Sequence, residues 1–370
     1  MITSYGAARV GRGRNCSKMA TTAFCCFLFV FLLSGSFSSV CAETSESLTA
    51  DDQVESGPAN ALEYIAPKQI EMRIGLRLTA GDGNMVSTMA MTAFPSDWPE
   101  QKVEVLQVNV ASPFRHAFRE LPGGNKQLLF QARTVPAHSQ IEATLHLRIE
   151  KTHIVGPTET THLTVPRRLP REAKQFLGNS PFIEATSSEI KKVVREVTAD
   201  DPLTEWDKVE SLYDWVRENI QYQKGKLKTV RQAMRDRTGD CEEMTGTFVA
   251  LCRAARIPAR CVWIPNHCYA EFYMEDGEGN GTWFPCQLAG TRNFGSMPEY
   301  LPILQKGDRF KVPEKKELQR YLADYLKAQK VIGRTKPQVE FVRELLGDAA
   351  KLDNPDRAAT QAQSPDAIGS

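Results

Sequence analysis

Two stretches in the first half of the chain alternate strictly between apolar and polar residues. Residues 70–78 place Ile, Met, Ile, Leu and Leu at every second position, and residues 141–149 repeat the pattern. A period of two with one apolar face is typical of a β-strand buried on one side. Less regular segments of this kind lie at 86–94, 103–110, 126–134 and 153–164. Together they predict an antiparallel β-sandwich, which we assign to residues 67–166.

The apolar residues then change to helical spacing. Three stripes carry this pattern: Ile190, Val193, Val194 and Val197; Val209, Leu212, Tyr213, Val216 and Ile220; Met244, Phe248, Leu251 and Ala255. Strand-like segments follow at 260–264, 268–274 and 282–288. Helices followed by a sheet predict an α+β domain at 180–305. We expect further helices at 314–329 and 336–348, within a C-terminal helical segment at 306–350, and a disordered tail at 351–370.

The N-terminus has the features of a secretory signal peptide. Basic residues (Arg9, Arg12, Arg14 and Lys18) precede the apolar run 23–33, and Val40-Cys41-Ala42 is a cleavage site of the expected kind. This pattern predicts a signal peptide at 1–42, a polar linker at 43–66 and an exported protein: periplasmic, cell-envelope or extracellular. The alternative is an uncleaved anchor, which would attach the chain to a membrane.

Charge and side-chain spacing narrow the classes of ligand. The formal net charge of +1 becomes about −3 without the four basic residues of the signal. A chain with this charge has no overall electrostatic attraction to nucleic acid. No Cys-x-x-Cys pair or regular histidine spacing is present, so we predict neither a metal site nor a cofactor. The oligomeric state is not determined by the sequence.

Five cysteines remain after the signal, all within one short stretch: Cys241, Cys252, Cys261, Cys268 and Cys286. An odd count in an exported protein leaves one thiol unpaired. Two disulfides among the other four, or several small buried apolar residues, are both consistent with this count.

Cys241 opens the third predicted helix, directly after Gly239-Asp240. The positive end of the helix dipole favours a thiolate, the reactive form of cysteine, and the free N–H groups there can hold an oxyanion. His267 opens a predicted strand further along, so folding can bring an imidazole base to the thiol. The pair predicts covalent acyl chemistry, and a buried structural cysteine is the alternative.

Residues from about 205 to 290 resemble the transglutaminase-like core. The resemblance rests on four stretches in the same order: Gly239-Asp240-Cys241 at a helix start, residues 253–260 (Arg-Ala-Ala-Arg-Ile-Pro-Ala-Arg) at its end, His267 at a strand start, and residues 283–287 (Trp-Phe-Pro-Cys-Gln). It implies a papain-like fold, often joined to a β-sandwich. It also implies that Cys241 is the nucleophile and His267 the base.

This chain departs from the family pattern at one position. The Asp that the family pattern has there aligns with Gln287, or less well with Cys286. A third residue orients the imidazole, and a glutamine oxygen can accept that bond as an asparagine does in papain-like enzymes, but it cannot stabilise the imidazolium charge. The expected hairpin places Gln287 near His267, which predicts a Cys–His–Gln line. Glu271 is the other candidate partner.

Two functions follow from these features. The first is an exported cysteine-dependent enzyme that acts on peptide amides through a thioester, as a peptidase, deamidase or transglutaminase, with a protein or peptide as substrate. The second is a catalytically inactive transglutaminase-like domain that binds peptides or serves as a scaffold.

Overall fold

The structure is a computed structural model that describes residues 62–199 and 204–352. The predicted signal peptide, most of the predicted linker and nearly all of the predicted tail lie outside these residues. In chain order the elements are β1 (Glu63–Thr79), β2 (Met85–Phe94), β3 (Gln101–Val110), β4 (Arg115–Leu121), β5 (Asn125–Val135), β6 (Gln140–Val155), α1 (Arg171–Lys174), α2 (Ser188–Val197), α3 (Glu205–Asn219), β7 (Gln221–Tyr222), α4 (Val230–Asp236), β8 (Thr238–Gly239), α5 (Cys241–Ala254), β9 (Ala259–Ile264), β10 (His267–Glu275), β11 (Gly281–Gln287), β12 (Asn293–Phe294), β13 (Gln305–Lys306), β14 (Tyr325–Val331) and β15 (Gln338–Leu346). Short 3₁₀ turns cover Pro122–Gly124, Gln175–Leu177 and Gly347–Leu352.

Two four-stranded sheets form the predicted β-sandwich. Their strand orders are β15-β1-β6-β3 and β14-β2-β5-β4, and all neighbouring strands are antiparallel. The alternating residues of 70–78 and 141–149 face each other across the β1–β6 ladder, and their apolar members are buried in the sandwich core. The period-two pattern therefore placed the core face correctly, because a register slip of one residue would expose that whole face.

The helices predicted at 314–329 and 336–348 are wrong. Residues 325–331 and 338–346 are the strands β14 and β15, which pair with β2 and β1 and complete both sheets of the sandwich. In β15 the apolar Val339 and Phe341 alternate with Gln338 and Glu340, a strand period. Residues 314–324 form an irregular connection. The sandwich thus extends beyond 67–166, and its first strand begins inside the predicted linker, at Glu63.

The part of the chain that follows the sandwich contains a five-stranded antiparallel sheet with the order β12-β11-β10-β9-β13. Helices cover this sheet. Helix α5 packs against β9 and β10 on one side and against α2, α3 and α4 on the others. Nearly all of its residues are buried, because most of them are apolar or small on every side of the helix, and the buried Glu243 and Arg253 have hydrogen-bond partners. An aromatic cluster of Trp206, Phe272, Phe284 and Phe294 fills the space between helices and sheet.

A buried charge network joins the sandwich to this sheet. Lys306 of β13 donates to Glu100 at 2.7 Å and to Glu271 of β10 at 2.6 Å. The other oxygen of Glu271 accepts from Arg260 Nε at 2.6 Å. These side chains are almost fully buried, so each charge depends on its partner. No helix within residues 62–199 and 204–352 is long and apolar enough to cross a membrane.

Candidate active site

Cys241 is the first residue of helix α5, as its sequence context predicts. Asp240 is the N-cap residue, and its side chain accepts from the Glu242 amide at 2.8 Å. Glu243 completes a capping box by accepting from the Asp240 amide at 2.8 Å. A Cβ at position 239 would lie 2.5 Å from the Cβ of Glu243, so Gly239 is required by this close approach. The Gly-Asp-Cys sequence therefore fixes the cysteine at the positive end of the helix.

His267 is placed by a tight hairpin between β9 and β10. It pairs with Ile264, which leaves Pro265 and Asn266 as the two turn residues. Asn266 has a left-handed φ of 54°, a conformation that asparagine tolerates better than most residues. This turn sets the imidazole at the edge of the sheet that faces the N-terminus of α5.

The structure brings Cys241 and His267 together. The Cys268 thiol makes the largest contribution to a lowered pKa of Cys241, the imidazole adds to it, and together they outweigh burial, so that this pKa falls to about 5. Burial lowers the pKa of His267, but the interaction with Cys241 and the bond to Gln287 outweigh it, and the net shift is upward. Both shifts favour a thiolate–imidazolium pair near neutral pH.

Within the described part of the chain, His267 Nδ1 is buried without a hydrogen-bond partner. The thiol–imidazole contact is therefore longer or less well aligned than a formed hydrogen bond, which is common in catalytic sites before substrate binds. Because Nε2 is taken up by Gln287, Nδ1 is the nitrogen left to exchange a proton with Cys241.

Gln287 reaches the imidazole, as the hairpin register predicts. Its Oε1 lies 3.2 Å from His267 Nε2, so the ring donates through Nε2–H to the amide oxygen. The backbone carbonyl of Gln287 accepts from the Tyr213 hydroxyl at 2.7 Å, which holds the end of β11 against helix α3. The predicted Cys–His–Gln line thus exists as a geometric arrangement.

Glu271 does not reach His267. It lies on the same face of β10 but further along, and both of its carboxylate oxygens are bound in the charge network with Arg260 and Lys306. The alternative orienting role considered for Glu271 is therefore wrong. Its position in the sequence could not show this, because its partners come from β9 and β13.

The other four cysteines of the described residues are buried, and none of them forms a disulfide with another described cysteine. Burial raises the pKa of Cys252, Cys261, Cys268 and Cys286. Cys268 is the one next to the site, and its thiol donates to the Cys241 carbonyl at 3.4 Å. In this structure the buried-residue interpretation of these cysteines holds, and the two-disulfide interpretation does not.

The thiol and imidazole open onto a cleft of about 510 Å³. Its apolar wall consists of Tyr222, Trp263, Ile264 and Tyr321. Charged residues of both signs line the rest: Lys224, Asp240, Glu242 and Arg343. Among the described residues, no group of three or more His, Cys, Asp or Glu is arranged to hold a metal ion.

Sequence reasoning missed Arg320, which forms an ion pair with Glu242 beside Cys241. No local motif marks this arginine, because it belongs to the irregular connection between β13 and β14. Arg343, on β15, was missed for a different reason: the sequence placed it on a helix, whereas the strand brings it to the cleft.

Comparisons with a family profile, with solved structures and with curated proteins gave the following results. A profile of the transglutaminase-like superfamily matches residues 191–288. A candidate cysteine protease from Cytophaga hutchinsonii has a similar fold, with a TM-score of 0.52 at 15% identity over 76% of this chain and 93% of that one. A candidate protease from Parabacteroides distasonis ATCC 8503 matches with a TM-score of 0.24 at 14% identity, over 60% of this chain and 48% of that one. Comparison with curated proteins gave no match.

The profile match spans the elements that carry Cys241, His267 and Gln287. The similar solved structure extends the likeness of fold over most of the chain, beyond the matched residues. At the family level the profile match supports a cysteine enzyme. Residues 191–288 of this chain are therefore a transglutaminase-like domain.

Proposed function

We propose that this protein is a cysteine-dependent enzyme that acts on peptide amides through a thioester, as a peptidase, deamidase or transglutaminase. The observation that carries the proposal is the arrangement of Cys241, His267 and Gln287 at the base of an open cleft. A thiol with a pKa of about 5 is ionised at neutral pH, and only a thiolate is an effective nucleophile.

The residues account for each proton in the reaction. The Cys241 thiolate attacks the amide carbonyl carbon, and the oxyanion faces the Cys241 N–H at the start of helix α5, since the next two amides are capped by Asp240. His267 gives its Nδ1 proton to the leaving nitrogen, so the C–N bond breaks and a thioester remains. His267 then takes a proton from water or from an amine, which attacks the thioester and regenerates the thiolate.

Gln287 orients the ring through Nε2 but brings no charge. The imidazolium is therefore stabilised by the thiolate itself and loses that partner once the thioester forms. We expect a weaker base in the second half of the reaction, when the neutral imidazole accepts a proton, than a carboxylate-paired histidine would provide.

The neutral residue at position 287 also favours the second candidate, an inactive peptide-binding or scaffold protein. One experiment separates the two. The rate of iodoacetamide alkylation of Cys241 is measured at pH 7 in the folded protein, with His267→Ala as the matched variant. Rapid stoichiometric alkylation that slows in the variant supports the enzyme. A rate equal to that of an ordinary thiol would rule it out.

We also propose that the protein is exported. The basic N-terminus, the apolar run 23–33 and the small-residue site at 40–42 support this. N-terminal sequencing of the protein from its native cell should give Glu43 as the first residue. An intact Met1 on membrane-bound protein would support the uncleaved anchor instead.

A further inference from the structure

A carboxylate beside the proposed nucleophile poses an electrostatic problem. Glu242 directly follows Cys241 in the first turn of α5 and lines the same cleft. A nearby negative charge disfavours a thiolate and raises its pKa. Glu243 raises no such problem, because it is turned to the backbone amides of Asp240 and Lys228.

Arg320 is bound to this carboxylate. Its guanidinium forms an ion pair with Glu242, and the Arg320 side chain is 8% exposed while that of Glu242 is 31% exposed. The guanidinium also stacks over the rings of Trp263, at 5.1 Å from the centroid, and Phe182, at 5.5 Å. A planar cation between aromatic faces is held in one orientation at low entropic cost.

The backbone around Arg320 is fixed as well. Gln319 and Phe310 exchange two backbone hydrogen bonds of 2.8 Å, and the Leu322 amide donates to Gln305 Oε1 at 2.9 Å. Trp263 is fixed by its indole N–H, which donates to the Gly307 carbonyl at 2.7 Å. Both sides of the arginine are therefore anchored to β13 or to the segment that follows it.

Arg320 is also close to the nucleophile. Burial lowers the pKa of Arg320, and the charges of Tyr321, Asp240 and Cys241 oppose that effect. The charged and titratable groups facing Cys241 are Asp240 and Glu242 on α5, His267 and Cys268 on β10, and Arg320, with Lys224, Tyr321 and Arg343 further out in the cleft.

We propose that Arg320 is a positioning residue that neutralises Glu242 and holds its carboxylate away from the sulfur, so that Cys241 remains a thiolate. The inference rests on the proposed function, in which Cys241 is the nucleophile. It assigns a role in the chemistry to the irregular segment between β13 and β14, which lies outside residues 191–288.

The test is the pH profile of Cys241 alkylation by iodoacetamide in full-length variants. In Arg320→Met the midpoint should rise by about one pH unit, which is a tenfold slower reaction below both midpoints. Adding Glu242→Gln should return the midpoint to the wild-type value. Arg309→Met is the matched control, because it removes the same charge from the same segment without touching Glu242, and its midpoint should not move.

Two results would overturn the proposal: a midpoint in Arg320→Met equal to that of the control, or a double variant as shifted as Arg320→Met alone. If Arg320→Met does not fold, Glu242→Gln alone decides. It should lower the midpoint, since it leaves the arginine charge unopposed, and an unchanged midpoint would count against the role. An ordinary thiol midpoint near 8.5 in the wild-type protein would instead contradict the proposed function.

Discussion

The two ends of helix α5 carry buried polar groups of opposite character. At the C-terminal end, Arg253 is fully buried, and all five of its N–H donors have acceptors at 2.8–3.0 Å. Two of these acceptors are the oxygens of Asp308, which is equally buried. At the N-terminal end, His267 Nδ1 is buried without a hydrogen bond to any described residue, and the Cys241 thiol has a pKa of about 5.

The difference shows how to distinguish structural from chemical use of a buried polar group. A group whose hydrogen bonds are all formed has no donor or acceptor left for a substrate, and its removal lowers the free energy of unfolding. A group with an unfilled bond and a perturbed pKa next to a cleft can accept a proton or attack a carbon. We therefore expect substitutions at the two ends to separate activity from stability.

The largest effect should come from Cys241→Ala. Loss of the nucleophile should lower kcat by about 10³-fold or more on a peptide substrate, because a nucleophile and its base act as a unit. The melting temperature should change little, since one small buried side chain replaces another. Activity assays and thermal unfolding check this pair of outcomes, and substantial residual turnover would mean that another residue attacks the amide.

Arg253→Met should lower the stability of the protein rather than act on the nucleophile. It leaves Asp308 buried without its cation, which should cost about 3–5 kcal/mol in the free energy of unfolding. Arg148→Met is the matched control, because the exposed pair of Arg148 with Glu104 should contribute less than about 1 kcal/mol. Urea titration measures both. Equal losses in the two variants would refute the structural role of the buried pair.

Substitution of Gln287 should have an intermediate effect on activity. Gln287→Leu removes the acceptor from His267 Nε2 and should lower kcat/KM by about ten- to a hundredfold, since the ring loses its fixed orientation. Gln287→Asp restores the acid expected by the family resemblance and should raise the pKa of His267, moving the basic limb of the kcat/KM profile upward. A basic limb that stays in place in Gln287→Asp would show that position 287 does not act on the imidazole.

Among these variants, Cys268→Ala should have the smallest effect on the reaction, a shift in its pH dependence. The Cys268 thiol makes the largest contribution to the lowered pKa of Cys241, so its loss should raise that pKa from about 5. Because a thiolate is present only above this pKa, the acidic limb of the alkylation profile should move to higher pH. Cys252→Ala, which removes a buried thiol away from the site, should leave the limb where it is. Equal profiles for the two variants would exclude an effect of Cys268.

The sequence predicted the part of the site that depends on local structure. Cys241 at a helix start, His267 at a strand start and Gln287 across the hairpin each follow from patterns within a few residues. Arg320 and Glu271 could not be interpreted this way, since their partners lie on distant segments. The strands β14 and β15 were missed because short apolar runs fit helix and strand alike, and the free edges of β1 and β2 decide the outcome.

The pairing of β1 with β15 has a consequence for synthesis on the ribosome. Arg73 and Glu344, which bridge these strands, lie 271 residues apart in the chain. The edges that β1 and β2 offer to these strands stay unpaired until almost the last described residues have emerged. A nascent chain therefore completes both sheets of the sandwich only at the end of this stretch, and a product truncated before β14 should lack the outer strand of each sheet.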